Sequence, residues 1–308
     1  MAAPITKSAV NYRVAWVSAL HIERASAEAM LDEKHEEPTD FNRNLKDQNS
    51  YDWGSIRGHD IVLTSLPVAD CGKVSAATCV TELLSSLPHI KFGLLVGIGA
   101  GLPNVQNDIQ LGDVVVGQPD QSHGGVIQYD LGKAISDGTW EPKGFLSPPP
   151  HVLLNALSQL KTKHEGGLFR HVDFLDKAMK RNTFWGARYA YPEDKENGFS
   201  RCKRQRERDG MKIYTADGEL IRPPRLPETP HIHYGTIASG DTLVKDEITR
   251  DIIPGKVKQT CLCIEMEAAG LLNVSSAQKQ DRQTSACAII PPIIYHASYE
   301  VFLVETNP

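Results

Sequence analysis

The sequence lacks any apolar run close to the roughly 20 residues that a membrane-spanning helix needs, so no membrane partner is expected. Its six cysteines (71, 79, 202, 261, 263, 287) form no CxxC pair and no paired metal spacing. A chain of 308 residues can bury a core without disulfide staples, so a reducing, cytoplasmic setting is expected. No leader is read at the N-terminus either. Lys7 and Arg13 precede the apolar stretch VAWVSAL (14–20), but this runs directly into His21, Ile22, Glu23 and Arg24, as a buried first strand would. There is no GxGxxG: the glycines of LLVGIGAGLP (94–103) are spaced differently, and Pro103 and Asn104 stand where a dinucleotide fold would start its helix. No cofactor is therefore expected. The net charge of −5 points to no polyanionic partner. The most telling lack is local. LCIEMEAAGLLN (262–273) contains Glu265 and Glu267 but no lysine or arginine, although buried carboxylates are costly unless hydrogen-bonded or neutralised.

What is present reads as strands alternating with helices. Val14–Ala19 suits a central strand and Glu23–Leu31 a helix. Tyr51–Ile56 and Asp60–Ser65 alternate around Arg57-Gly58 as a hairpin. Lys73–Leu87 is helical, with Ala76, Ala77, Val80, Leu83, Leu84 and Leu87 near a 3.6-residue spacing. Phe92–Ile98, Val114–Gly117, Thr236–Ser239 and Leu262–Ile264 are strands; Pro149–Leu160 is a helix, and Glu265–Asn273 starts another. The pattern indicates an α/β domain around a largely buried sheet. Residues 161–230 depart from it, with 16 Lys and Arg against 11 Asp and Glu and no clear apolar period. This segment is expected to be a charged surface insertion. Its basic cluster RCKRQRER (201–208) has no interleaved aromatics, so no nucleic-acid partner is expected.

Four stretches could carry chemistry. In VSALHIERA (17–25), Glu23 follows a strand end, where open α/β sheets gather ligands, and would suit a general base acting on water. It would equally suit the first turn of a helix. In LLVGIGAG (94–101), Gly97, Gly99 and Gly101 could let the backbone form an anion-binding nest or could simply turn the chain. TIASGDTLV (236–244) turns at Gly240-Asp241, where backbone groups could meet a planar ligand or Asp241 could act as a cap. In IEMEA, the Glu267 carboxylate could accept two hydrogen bonds from a vicinal diol, while Glu265 points to a mostly structural role. His231 and His233 flank Ile232 without an obvious third ligand, and Cys261 and Cys263 suit core packing, so no metal is expected.

Taken in order, VAWVSALHIE (14–23), CGKVSAA (71–77), LLVGIGAG (94–101), LGDVVV (111–116), HYGTIASGDTLVKD (233–246) and CIEMEAAGLLN (263–273) resemble the nucleoside phosphorylase/nucleosidase superfamily. The nearest likeness is to methylthioadenosine/adenosylhomocysteine nucleosidases and to the phosphorylase-like domains at the N-termini of fungal immune-receptor-like proteins with repeat tails. The resemblance covers roughly residues 11–273 and implies a three-layer αβα sandwich with a mostly buried mixed sheet. It also implies cleavage of the N-glycosidic bond of a small-molecule nucleoside or nucleotide, adenine-type purines foremost. By resemblance, Glu23 activates water, Glu267 clamps the ribose diol, with Glu265 beside it, and Met266 packs under the sugar. Leu243 and Val244 border the base, and Gly97–Gly101 line an anion or water pocket.

Arginine forks suit phosphate, and the hexameric phosphorylases keep an arginine and a serine in the strand–glycine segment. Here that segment offers Leu95 and Ile98, so hydrolysis is expected; phosphate-dependent phosphorolysis and a non-catalytic nucleoside-binding module are the alternatives. The superfamily's leaving-group acid, an aspartate on a later strand, has no clear counterpart. After Asn273 the only aspartate is Asp281, in KQDRQ, and PPII (291–294) is a poor central strand. Residues 274–308 read as an atypical C-terminal tail, as a shifted reading frame or retained intron would produce, with the last strand slot left empty. A homo-oligomer is expected if the fold is complete.

Overall fold

The computed structural model describes residues 5–102, 107–110, 112–135, 140–181, 207–208, 211–212, 230–244, 247–257, 260–277 and 286–290. The main sheet has eleven strands. They are β1 (Val14–Ser18), β2 (Glu33–His35), β3 (Asp52–Ile56), β4 (His59–Ser65), β5 (Phe92–Ile98), β6 (Ala100–Gly101), β7 (Val114–Gly117) and β8 (Val126–Gln128), then the strands Ile232–Ser239, Cys261–Glu265 and Ala286–Ile290. Two short hairpins, Gly132–Ala134 with Trp140–Pro142 and Glu207–Arg208 with Met211–Lys212, stand apart from it. The helices are α1 (His21–Met30), α2 (Lys73–Ser86), α3 (His151–Glu165), α4 (His171–Arg181), Glu247–Val257 and Ala268–Ala277.

Strand alternation builds three layers. Val14 and Trp16 of β1, Ile61 and Leu63 of β4, Leu94 and Val96 of β5, and Val114 and Val116 of β7 point to one face, where they pack with Ala27 and Leu31 of α1 and its exit. The intervening Ala15, Val17, Val62, Leu95 and Val115 point to the other, where Ala76, Val80, Leu83 and Leu84 of α2 and Ala268, Ala269, Leu271 and Leu272 close the core. A period of two on the strands against one of 3.6 on the helices produces this division. β3 and β4 are antiparallel about Arg57 and Gly58, both at positive φ (50° and 82°), as a two-residue hairpin loop of matching twist requires.

The sheet is mixed. β1 runs parallel to β4 and β5, whereas β7 and Cys261–Glu265 each run parallel to Ile232–Ser239. From β5 the order passes through Ala286–Ile290, β7, Ile232–Ser239 and Cys261–Glu265 to β6. Only Gly99 separates β6 from β5, so this part of the sheet closes on itself. The closure sets Gly101 against Cys263 and Ala100 against Ile264. It brings the end of the Cys261–Glu265 strand back beside the end of β5.

Three expectations need correction. The last strand slot is not empty: Ala286–Ile290 lies parallel to β5 and antiparallel to β7. Its ACAII run is short and apolar, as a strand flanked by neighbours on both edges of a sheet can be; Asp281 lies outside the described residues. The charged segment also begins with regular structure. α3 continues to Glu165, and α4 packs on α1, where the Arg181 guanidinium donates to the Leu31 carbonyl at 2.7 Å. The cluster at 201–208 lies outside the described residues apart from Glu207 and Arg208. Finally, the helix after IEME starts at Ala268, so Glu265 ends a strand and Glu267 precedes the first turn.

Candidate active site

Glu23 sits in the first turn of α1 and is 2% exposed. Its Oε2 accepts hydrogen bonds from the amides of Ala19 (2.6 Å) and Leu20 (2.8 Å), and its Oε1 from that of Ile98 (2.7 Å). The local bonds form because a helix N-terminus leaves amides unpaired. The third arises because β5 ends beside β1. A methyl group at Gly97 would lie 3.0 Å from Oε1 and 3.2 Å from the other carboxylate atoms, so glycine is what lets the acid come this close. Burial pushes the Glu23 pKa up to about 7; the three amides pull it down, and the Glu267 charge adds to the rise. An acid in this state exchanges its proton near neutrality.

Glu265 and Glu267 are also buried, and the structure separates their duties. Glu265 Oε2 accepts the amides of Glu267 (2.7 Å) and Ala268 (2.8 Å), capping the Ala268–Ala277 helix from the preceding strand. The Ser239 hydroxyl accepts the next free amide, that of Ala269, at 2.9 Å. Among the described residues, Glu265 Oε1 makes no hydrogen bond. Burial first, and then the Glu267 charge, raise the Glu265 pKa to about 7. Glu267 Oε1 accepts the Gly72 amide at 3.0 Å. Its pKa is raised mainly by burial, against the pull of that amide.

The remaining expected residues are placed less uniformly. Gly97 faces Glu23, but Gly101 runs in β6 rather than folding into a nest, and the Ile98 amide that a nest would use is spent on Glu23. Met266 stands between the two glutamates and is half-buried. Val244 packs on a cluster with Leu102, Tyr129 and Ile264, whereas Leu243 is exposed. His231 and His233 are both engaged by Asp113, through the His231 amide and the His233 Nε2, each at 2.9 Å. Among the described residues, no group of three or more His, Cys, Asp and Glu could hold a metal ion. Cys261 and Cys263 are buried in the core.

A cation also enters the constellation, from outside the stretch 262–273. Lys73 Nζ is 2.6 Å from Asp130 Oδ2 and 3.2 Å from Asp241 Oδ2. Two carboxylates hold this one ammonium. The sequence motifs assign no role to Gly72, Lys73 or Asp130. CGKVSAA hinted at the first two, but nothing local in YDLG (129–132) marks Asp130. Cys71, exposed and next to Gly72, completes the rim; burial and then the charges of Glu267 and Glu23 raise its thiol pKa.

No protein-family model matches the chain. The chain is 34% identical over 269 residues to a nucleotide-binding leucine-rich repeat (NLR)-like protein of Hyaloscypha variabilis. That match takes in 85% of this chain and 25% of the other, so the chain spans about a quarter of the length of the curated relative it matches. Among solved structures, the MTA/SAH nucleosidase of Streptococcus pneumoniae in complex with 8-aminoadenine is similar, with a TM-score of 0.51 and 15% identity over 90% of this chain and 83% of that one. The nucleosidase of Neisseria meningitidis in complex with methylthio-immucillin-A gives 0.51 and 16% over 90% and 82%. Futalosine hydrolase of Helicobacter pylori gives 0.51 and 13% over 92% and 84%. The chain has the nucleosidase fold. At these identities the likeness is one of architecture, and the chemistry must be argued from this chain's own residues. Among the described residues, no helix is long and apolar enough to cross a membrane.

Proposed function

We propose that this chain hydrolyses the N-glycosidic bond of a purine nucleoside or nucleotide, adenine-type foremost, releasing the free base. The observation that carries the proposal is the Glu23 cradle. A carboxylate held by three backbone amides, with a pKa of about 7, is a rigid general base poised to take a proton from water. Water then attacks the anomeric carbon of an oxocarbenium-like ribose as the bond to the purine breaks. Glu267 holds the 2′- and 3′-hydroxyls, with Met266 under the sugar and Leu243 and Val244 along the base. Oε1 of Glu267 keeps a lone pair beyond the one given to Gly72, and Oε2 adds its own, so the carboxylate can still receive both hydroxyls. Glu265 supports the clamp by capping the helix that follows it.

The nucleophile follows from charge. Lys73 is committed to Asp130 and Asp241, so this cluster carries net negative charge and disfavours phosphate. The leaving base needs a proton, and the strand in the slot beside β5 is ACAII, which has no carboxylate to supply it. Turnover is accordingly expected to be slow, and a nucleoside-binding module without turnover is the second reading that this strand favours. We assign the domain to residues 11–273 together with the strand Ala286–Ile290 that completes its sheet, with 161–230 as its charged segment, acting in the cytoplasm and as a homo-oligomer.

The test is the purified chain with purine nucleosides and nucleotides, with and without phosphate, assayed for free base. Release that is independent of phosphate is expected. Release that requires phosphate would replace hydrolysis by phosphorolysis, and binding without release would establish the module.

A further inference from the structure

We infer that Lys73, Asp130 and Asp241 form an ionic latch that positions Glu267 through the Gly72 amide, and so set the affinity of the sugar clamp. The inference rests on the clamp role given above to Glu267, but the latch itself is read from contacts alone. α2 begins at Lys73, and Gly72 before it offers no side-chain cap. The helix therefore has unpaired amides at its start. Two of these amides, from adjacent residues, go to carboxylates distant in sequence: Gly72 N–H to Glu267 Oε1 at 3.0 Å and Lys73 N–H to Asp241 Oδ1 at 2.9 Å.

Asp241 is fixed in turn. Its amide donates to Asp130 Oδ2 at 2.9 Å, and the Lys73 ammonium joins Asp130 and Asp241 across the gap. Gln128 Nε2 donates to the other Asp130 oxygen, Oδ1, at 2.8 Å and ties the group to β8. The result is a closed ring of contacts around the start of α2. Its two free-standing constraints are glycines. Gly72 takes φ +103°, and a methyl group there would lie 2.9 Å from Asp241 Oδ1. A methyl group at Gly270 would lie 2.0 Å from the Lys73 carbonyl oxygen, so the helix after Glu267 and the start of α2 are pressed together at one point. Shifting the start of α2 by even half an ångström would withdraw Gly72 from Glu267, because the hydrogen bond weakens steeply with geometry. Lys73, Asp130 and Asp241 are positioning residues, acting on the ligand through Glu267.

The experiment measures hydrogen exchange of the Gly72 amide in the full chain, together with KM and kcat for base release. In Asp130→Ala and Lys73→Met, Gly72 exchange is expected to rise about tenfold or more and KM by a similar factor, with kcat nearly unchanged. Asp130→Glu should recover part of both. Asp52→Asn, which breaks the separate Arg24–Asp52 pair at 2.6 Å, should leave Gly72 exchange unchanged and reports general loosening. Unchanged Gly72 exchange in Asp130→Ala and Lys73→Met would overturn the latch, as would kcat falling while KM holds. If the wild-type chain neither binds nor cleaves nucleosides while Gly72 exchange responds as stated, the latch stands and the nucleoside reading falls.

Discussion

The two carboxylates that matter most for the proposed chemistry are held in opposite ways. Glu23 draws two of its three hydrogen bonds from residues three and four positions before it, and the third comes from the neighbouring strand end. Glu267 takes its amide from Gly72, 195 residues away, and that amide is held in place through Lys73 by residues from two further segments, Asp130 and Asp241. The base is a local structure that forms wherever β1, α1 and β5 form. The clamp exists only once the whole α/β frame has closed. Distant changes should therefore reach binding before they reach proton transfer.

The largest expected effect breaks the local half. Glu23→Gln keeps the shape but removes the base, and kcat should fall by roughly 10²–10⁴ with little change in nucleoside affinity, measured by base release and by calorimetric titration. The distant half breaks next. Gly270→Ala must displace the Lys73 carbonyl and should cost on the order of 1–3 kcal/mol in denaturant unfolding, with a rise in KM larger than the fall in kcat. Gly97→Ala, by contrast, touches the Glu23 carboxylate and should lower kcat more than it raises KM.

A third contrast is one of pH. Glu23 and Glu265 both have folded pKa values near 7 against an ordinary 4.5. The folded state therefore holds protons that the unfolded chain gives up between those values, so these groups favour folding at low pH and lose that contribution as pH rises from about 4.5 through about 7. Glu265→Gln should remove part of this fall, on the order of 2 kcal/mol, in unfolding followed across that window. Asp130 has the opposite sign. Burial alone would raise its pKa, but Lys73 and the Asp241 amide outweigh burial and lower it, so its contribution is present above the ordinary carboxylate range and disappears on acidification below it. The smallest expected effect is at the rim: Glu267→Gln should speed alkylation of Cys71 a few-fold at neutral pH by removing one of the charges that hold its thiol protonated.

Much of this was legible in the sequence where the signal is local. The strands β1, β5 and β7, helix α2 and the Arg57-Gly58 hairpin follow from period and turn chemistry, and Glu23 announced itself by standing just past a strand end. Glu265 and Glu267 were visible as carboxylates without a local cation. What the sequence could not show is what depends on closure. β6 is two residues long and exists only because Cys261–Glu265 comes to meet it. Asp130 carries no motif, and its partner Lys73 lies 57 residues away. The Ala286–Ile290 strand was obscured by the prolines that follow it, although the five apolar residues before them are enough to pair with β5. The charge of 161–230 hid α4, whose Phe174, Ala178 and Arg181 are spaced for a helix.

The most direct test of the account is the pH dependence of kcat/KM for phosphate-independent base release. The account predicts an activity that rises with pH to a plateau, with a midpoint near 7 set by Glu23, and a rise that persists in Glu265→Gln. A profile flat across that range, or a rise that vanishes in Glu265→Gln, would contradict Glu23 as the base.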